Sequence, residues 1–536
     1  MVGAGGRSGT RVRSGCLTCR ARKVKCDETR PVCKSCTRLG RCCEYGQKQR
    51  KSTKQATRND SATLTIDELI ATVSSPEEAL QQHSDNGGTH PNSDCFEDDT
   101  AMHFISRDIT LTTTMDLLAT RDDNVAAQPF IAHFLEEVEC PGISPFDPIN
   151  WQRFKVLAVD LAIQHSPVSQ AVVAVSALCK GLRYSLPMGR AESEYHNAKR
   201  SMVDLLRKRE LDFDVALLAS FLLCQYELLH GGDVTPFLQH PSEHYMARLE
   251  EWAAQSSRHS ELSTRISIWL TILHSTTRRG GRMGLVSDQI LAWLPCYDGT
   301  ASSLPAPSGK EADLSTHLFE LMSAPVFDFY ARLQMISGEI ATMTHYHRSR
   351  STSEDQDEVV RQTKLIKARL RALWDNRCTI QRHSNSELRT QLNPTIASWT
   401  ISLVSISNAA YHTEFVELDR VMGDPVSKWT DSRSAIAAIQ QLVDASVDCS
   451  DFLHANQARV NPGFMRALFL FAIECMDTKQ NRWAADRIAE IQNPMYRSDF
   501  MSAFARELGE AQVRKERRVT SNYFCVWMFG VPAPFL

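Results

Sequence analysis

The sequence of 536 residues predicts a small cysteine-rich module, a polar linker and a large all-α body. The first indication is a group of cysteines between residues 16 and 43 that includes two C-x2-C pairs. The second is residues 46–63, which are rich in Lys, Gln, Thr and Ser and show no apolar periodicity. The third is a helical spacing of apolar residues from Phe130 onward. Most of the hydrophobic core is therefore expected after residue 125.

The cysteine spacing is C-x2-C-x6-C-x6-C-x2-C-x6-C, formed by Cys16, Cys19, Cys26, Cys33, Cys36 and Cys43. A pair of thiolates two residues apart holds one metal ion from a single turn of backbone. Six thiolates are too few for two separate tetrahedral zinc sites, but they suffice if two sulfurs each bridge both ions. The spacing therefore predicts a site for two metal ions.

Two alternatives concern the cysteines themselves. A disulfide framework is disfavoured because Met1–Thr10 is Gly-rich and lacks the apolar stretch of a signal peptide. The nine cysteines from Cys95 to Cys525 stand singly among apolar residues and are expected to be buried thiols. Cys42 is adjacent to Cys43, and only one of the two is needed. We expect Cys43 to be the last ligand, with Cys42 as the alternative.

The charge of the chain is divided between its two ends. Residues 1–58 hold 16 Lys and Arg against 3 Asp and Glu, whereas the remainder holds 44 basic and 60 acidic residues. The formal net charge of −3 for the whole chain hides this asymmetry. A basic segment on an acidic body is typical of a nucleic-acid-binding segment. The same basic stretch also permits a nuclear localisation signal.

These residues resemble the fungal zinc binuclear cluster, the Zn2Cys6 DNA-binding domain of fungal transcription factors. The resemblance covers the six cysteines, the basic run Arg20–Lys25, Asp27, Pro31 and Tyr45. It implies that Cys16, Cys19, Cys26 and Cys33 hold one zinc ion, and that Cys16, Cys33, Cys36 and Cys43 hold the other. Cys16 and Cys33 would then be the bridging ligands.

The resemblance also implies how double-stranded DNA is read. Each half of the motif would be a short helix followed by an extended strand, and the first helix would point into the major groove at a CGG triplet. By the resemblance, Lys23 matches the base-reading lysine of the family. An ammonium group can donate to both O6 and N7 of guanine. Arg22 would contact base or phosphate. The expected phosphate contacts are Arg20, Lys25, Lys34 and Arg38.

The linker and the body complete the predicted organisation: residues 1–58 as the Zn2Cys6 domain with its basic tail, 59–124 as a largely disordered linker, and 125–536 as an all-helical regulatory domain. Ile66, Leu69, Val73 and Leu80 approach heptad spacing, but Pro76 interrupts them, so a homodimer is permitted and not required. Residues 81–100 are acidic and include an aromatic residue, a composition that also suits coactivator binding.

The body shows helical runs and few turns. Apolar stripes predict helices near residues 130–138, 157–178, 205–229, 266–273, 327–340, 359–373, 396–411, 435–452, 465–476 and 483–491. Loops are predicted at residues 299–309 and 349–357. No uninterrupted apolar run approaches a membrane span. The layout resembles the regulatory domain that follows such a cluster in fungal transcription factors.

No catalytic constellation is present in the sequence: G-x-S-x-G, a P-loop, a Rossmann fingerprint and H-E-x-x-H are all missing. The pair His345 and His347 is expected to end a helix rather than bind a metal. The basic turn Arg278–Arg282 is expected to be solvated or internally paired, with an anionic effector as the alternative. The C-terminal run Tyr523–Phe529 is expected to pack on the body, with an activation peptide as the alternative.

The sequence therefore predicts a zinc-dependent, sequence-specific transcription factor that is located in the nucleus and regulates RNA polymerase II. The expected partners are double-stranded DNA and the transcription machinery or coregulators, with no membrane. Regulators of this layout often control secondary-metabolite or nutrient pathways. The alternative is a zinc-cluster protein whose helical body is an enzyme or a scaffold.

Overall fold

The structure is a computed structural model that describes residues 29, 33–38, 128–231, 235–255, 259–279, 283–295, 297, 299, 302–306, 313–347, 353–421, 430–450 and 460–534. The chain divides into two compact units, residues 1–94 and residues 95–536. The predicted boundaries after residues 58 and 124 both fall outside the described residues. The division into three segments therefore remains a prediction.

Over the described ranges the chain forms helices and no strand, which confirms the all-α body. In chain order the α-helices are α1 (Lys34–Arg38), α2 (Gln128–Glu137), α3 (Pro148–Gln164), α4 (Ser166–Tyr184), α5 (Gly189–Lys208), α6 (Phe213–His230), α7 (Glu243–Ala253), α8 (Glu261–Thr277), α9 (Asp288–Trp293), α10 (Leu314–His347), α11 (Ser353–Asp375), α12 (Asn385–Gln391), α13 (Pro394–Val421), α14 (Thr430–Ser450), α15 (Met465–Glu474), α16 (Thr478–Ala489), α17 (Ser498–Lys515) and α18 (Ser521–Phe529). Short 3-10 turns lie at Phe237–Gln239, Ile380–Arg382, Pro462–Phe464 and Pro494–Tyr496.

Two apolar runs that the sequence suggested as continuous are each split into two helices. The run through residues 157–178 breaks at His165, which is extended and precedes Pro167. The run through residues 205–229 breaks after Lys208, where Arg209 is left-handed with φ 59°. Asp212 then caps α6 by accepting the N–H of Asp214 at 2.9 Å. The predicted loop at 349–357 is wrong for its last five residues, because α11 begins at Ser353.

Helix α6 is one of the two most buried long helices among the described residues, together with α15. Among the described helices it is the one long and apolar enough to span a membrane by length and composition, although no such run was expected from the sequence. However, 83% of it is buried inside the body. Its apolar character is that of a core helix, since residues on all its faces contact neighbouring helices.

An aromatic cluster forms the centre of the first half of the body. The side chains of Trp151, Phe154, Phe221 and Trp269 are buried, and their ring centroids lie 5.2–6.4 Å apart. The indole of Trp269 donates to Asp147 at 3.0 Å, and that of Trp151 donates to the carbonyl of Val138 at 3.1 Å. Both indoles therefore fill the core without leaving a buried donor unpaired.

Helix α13 organises the second half of the body, where it packs against α10, α14 and α15. Its carboxylate at Glu414 is buried and faces two arginines. Arg466 donates to Glu414 at 2.6 Å, and Arg279 lies 3.9 Å away. A buried carboxylate is tolerated here because charged and hydrogen-bonding groups surround it.

Candidate metal and DNA-binding site

The described part of the cysteine-rich module is a helical turn that begins at Cys33. The carbonyl of Cys33 accepts the N–H of Cys36 at 3.0 Å and that of Thr37 at 2.9 Å, and it also accepts the hydroxyl of Thr37 at 3.1 Å. These bonds start helix α1, as predicted for the second half of the motif. The spacing C-x2-C therefore lies across the first turn of a helix.

Cys33 and Cys36 both lie at the start of helix α1. The N–H of Cys36 donates to Sγ of Cys33 at 3.4 Å, so the sulfur of Cys33 lies over the start of the helix. Both cysteine side chains are buried, whereas Lys34 between them is exposed. A backbone N–H directed at sulfur favours the charged thiolate, which is the form that binds metal.

This donor set fits zinc. Two thiolates presented from one turn are half of a tetrahedral sulfur site, and zinc is the usual ion in such sites. Cys33 and Cys36 would hold the metal with sulfurs from elsewhere in the motif. Bound zinc would supply folding free energy to a segment with few apolar residues, since Leu17, Val24, Val32 and Leu39 are most of them.

Most of the predicted site residues fall outside the described residues: Cys16, Cys19, Cys26, Cys43, Arg20, Arg22, Lys23 and Lys25. Lys34 is the first residue of α1 and is exposed, as a phosphate contact requires. Arg38 is the last residue of the same helix. The ligand set and the DNA contacts therefore stay predictions, with Cys33, Cys36, Lys34 and Arg38 placed on one helical turn.

The cysteines of the body have a different character. Cys140, Cys179 and Cys224 are buried, and Cys140, Cys179, Cys224, Cys378 and Cys475 are thiols rather than cystines. Burial raises the pKa of Cys179 to about 12 and also raises the pKa values of Cys140 and Cys224. These three thiols are therefore protonated and unreactive. The expected burial is confirmed for them and for Cys525, whereas Cys378 and Cys475 are only partly buried.

Within the described ranges, no group of three or more His, Cys, Asp or Glu side chains is arranged to hold a metal ion. His345 and His347 lie at the end of α10, as predicted. In the basic turn, the largely buried Arg279 is paired within the body. Its guanidinium donates to Gln334 at 2.7 Å and to Ser337 at 2.8 Å. Burial lowers the pKa of Arg279 to about 10. The pairing expected for this turn is confirmed at Arg279.

Comparison with known families identifies both parts of the chain. Residues 14–52 match the family described as the fungal Zn(2)-Cys(6) binuclear cluster domain. Residues 129–503 match the family described as the fungal specific transcription factor domain. The second match covers more than half of the chain. No solved structure matches the chain significantly.

Several curated proteins are similar to this chain over short segments. The chain is 59% identical over 34 residues to the transcriptional regulatory protein moc3 of Schizosaccharomyces pombe, covering 6% of this chain and 7% of that protein. It is 64% identical over 33 residues to the Zn(2)-C6 fungal-type transcription factor afumD of Aspergillus fumigatus, covering 6% and 9%. It is 40% identical over 72 residues to the aspercryptin biosynthesis cluster-specific transcription regulator atnN of Emericella nidulans, covering 12% of each chain. The chain thus matches no more than 12% of the length of these relatives.

Proposed function

This chain belongs to the fungal specific transcription factors and carries a Zn(2)-Cys(6) binuclear cluster domain for two zinc ions, and from that premise we propose that it reads CGG-like triplets in nuclear DNA to regulate transcription by RNA polymerase II. The family supports a DNA-binding transcription regulator. The observation that supports the site is the buried pair Cys33 and Cys36 on one helical turn beside the exposed Lys34.

The proposed recognition separates base reading from orientation. Lys23 donates to guanine in the major groove, and Arg22 contacts base or phosphate beside it. Arg20, Lys25, Lys34 and Arg38 bind phosphates and set the orientation without specifying sequence. Cys16, Cys19, Cys26, Cys33, Cys36 and Cys43 hold the two zinc ions, with Cys16 and Cys33 as the bridging ligands. Zinc supplies the fold that holds the basic residues in place.

The organisation proposed for the whole chain is a DNA-binding domain at 1–58, a linker at 59–124 and a helical regulatory domain at 125–536. The regulatory domain is proposed to contact coregulators and to have no enzymatic activity, as is general for transcription factors of this family. As the regulated pathway we propose a biosynthetic one, on the similarity to atnN, which is named as a biosynthesis cluster-specific regulator.

Selection of bound sequences from random duplex DNA by the full zinc-loaded chain tests the proposal. We expect enrichment of a CGG triplet, either alone for a monomer or as a spaced pair for a homodimer. Failure of the zinc-loaded chain to enrich any sequence would overturn it.

The second candidate function, a scaffold whose cluster binds protein, makes a different prediction about salt. DNA binding by phosphate contacts requires log K to fall with log salt concentration by about 0.9 per phosphate neutralised. An affinity for duplex DNA that does not depend on salt would favour the scaffold.

A further inference from the structure

The C-terminal helix α18 presents an apolar face to solvent. We define the C-terminal face as Tyr523, Val526, Trp527 and Val531. Tyr523 is 66% exposed and Trp527 is 68% exposed, and the two valines are exposed by more than two-fifths. Aromatic side chains of this size carry about 150–250 Å² each, so these two rings alone leave roughly 200–300 Å² of surface in water. Contiguous exposed apolar surface of more than a few hundred Å² marks interaction sites, and the exposed Val526 and Val531 add to the area of the two rings.

The face is held in place by the opposite side of the same helix. Phe524 and Cys525 are buried in the body, and the ring of Phe529 lies 5.2 Å from that of Phe500 and 6.0 Å from that of Phe504. Phe500 and Phe504 lie in the first half of α17, so α18 runs back along α17 in the antiparallel direction. The exposed rings are therefore presented from a packed helix and not from a loose end.

The segment after the helix is also fixed. Gly530 ends α18 in the left-handed conformation with φ 74°, and the chain then turns back. The N–H of Ala533 donates to Asn522 at 3.1 Å, which ties this segment to the start of the helix. Val531 consequently extends the apolar face beyond the last turn of α18.

A basic border adjoins one end of the face. Arg514, Lys515 and Arg517 are exposed where α17 ends, immediately before α18 begins, and the exposed Glu516 among them reduces their net charge without reversing it. Arg518 is not part of this border, since it donates to the buried Glu474 at 2.8 Å. From residue 519 to residue 536 the sequence has no charged side chain. The border therefore places net positive charge beside the Tyr523 end of an otherwise uncharged face.

We propose that the C-terminal face binds an acidic amphipathic helix of a partner protein. The residues Tyr523, Val526 and Trp527 follow the i, i+3, i+4 spacing with which one helix packs against another. Carboxylates flanking the apolar stripe of the partner would pair with the basic border and set the direction of docking. In a symmetric contact a second copy of this chain would place its own basic border against the first, so charge complementarity favours the acidic partner. The inference goes beyond the proposed function and depends on neither zinc nor DNA.

The test measures binding of synthetic helical peptides to the full chain. One probe is an amphipathic helix with a leucine stripe flanked by Glu, and its twin carries Lys in place of every Glu. Fluorescence anisotropy of the labelled peptides should show at least tenfold tighter binding of the Glu peptide at low salt, and this preference should shrink as salt rises. Equal binding of both peptides, or binding of neither, would overturn the proposal.

Variants locate the binding on the face. Trp527→Ala should weaken binding of the Glu peptide at least tenfold, because a central aromatic side chain dominates such contacts. The triple variant Arg514→Glu, Lys515→Glu, Arg517→Glu should reverse the preference between the two peptides. Tyr184→Ala removes an aromatic ring that is 57% exposed at the end of α4 and serves as the matched control, with no change expected. Unaltered thermal unfolding of each variant shows that it is folded.

Self-association is the competing outcome. Sedimentation of the full chain with and without Trp527→Ala shows whether the chain associates with itself through this face. The substitution lies on the surface, so a change in sedimentation reports association. A dimer that Trp527→Ala abolishes, together with no binding of the Glu peptide, would assign the face to a second copy and contradict the proposal.

Discussion

The backbone N–H of Cys36 donates a hydrogen bond to the sulfur of Cys33, 3.4 Å away. This contact joins the two members of a C-x2-C pair at the first turn of α1 and directs a partial positive charge at the sulfur. It stabilises the thiolate that a zinc ion requires, because hydrogen bonds to the charged form favour it. The local fold of the second half of the motif is thus already suited to metal binding.

Substitution of the cysteines should separate bridging from terminal ligands. Cys33→Ser is expected to remove both zinc ions, because Cys33 is proposed to contact both of them, and specific DNA binding should be lost with them. Elemental analysis of the full chain and DNA binding are the measurements. The thermal unfolding of the helical body should not change, since residues 1–94 and 95–536 are separate compact units.

Cys42→Ser is the matched control for that experiment, because it removes a neighbouring thiol that is proposed not to bind zinc. It should retain two zinc ions, whereas Cys43→Ser should not. Loss of zinc in Cys42→Ser with retention in Cys43→Ser would exchange the roles of these two cysteines.

Lys23 and Lys34 should differ in their effect on DNA specificity. Lys23→Ala is expected to weaken binding to the selected sequence by about 1–3 kcal/mol and to relax the preference for guanine. Lys34→Ala should weaken binding to selected and random duplexes alike, because a phosphate contact carries no sequence information. Competition binding at fixed salt measures both. An equal loss on selected and random DNA in Lys23→Ala would show that Lys23 does not read a base.

The buried carboxylate of Glu414 should be essential for stability of the body. Glu414→Gln leaves the guanidinium groups of Arg279 and Arg466 without their shared negative partner in a buried site. The free energy of unfolding should fall by about 3–5 kcal/mol, which denaturant unfolding followed by circular dichroism measures. Glu358→Gln breaks the exposed pair with Arg361 and should cause no measurable change. A similarly small effect for both variants would contradict a structural role for the buried network.

Glu227 should make stability depend on pH near neutrality. Its carboxylate is buried in α6 and accepts the hydroxyl of Tyr195 at 2.5 Å and the N–H of Phe237 at 2.7 Å. Burial raises the pKa of Glu227 from 4.5 to about 7. Between these values the folded chain keeps a proton that the unfolded chain releases. The stabilisation is therefore complete below pH 4.5 and is lost as the pH rises through 7.

Glu227→Gln retains the accepting oxygen and cannot ionise. Above pH 7 the variant should be more stable than the natural chain by up to about 3 kcal/mol, and the difference should disappear towards pH 4.5. Denaturant unfolding of both proteins from pH 5 to pH 8 measures this. A difference that does not vary with pH would show that Glu227 stays in one protonation state.

Apolar periodicity predicted where the body is helical, but it did not find every helix end. Arg209 ends α5 in the left-handed conformation without a glycine, so the apolar run continued across a break that only the cap residue Asp212 marks. In contrast, Ser384 and Glu387 form a capping box that the sequence does show, and it starts α12. The side chains of Ser242, Ser260 and Ser287 accept a backbone N–H at the starts of α7, α8 and α9, as that of Ser384 does in α12. Cap residues are therefore a better guide than apolar stripes to these helix starts.

The prediction that the C-terminal run Tyr523–Phe529 packs on the body is correct for some of its residues and wrong for others. Phe524 and Phe529 pack on the body as expected, whereas Tyr523 and Trp527 do not. Composition reports only that a segment is apolar, and the side of a short helix that faces the core depends on distant residues such as Phe500. The buried network around Glu414 was missed for a similar reason, because its members come from the turn after α8, from α13 and from α15, and no local pattern connects them.

The most direct test of the central claim is to titrate the metal-free full chain with zinc and to measure how tightly the chain binds a duplex that contains a CGG triplet. Specific binding should be absent without zinc and should reach its plateau at two zinc ions per chain. Specific binding by the metal-free chain, or a plateau at any other stoichiometry, would contradict a binuclear cluster as the DNA-binding element.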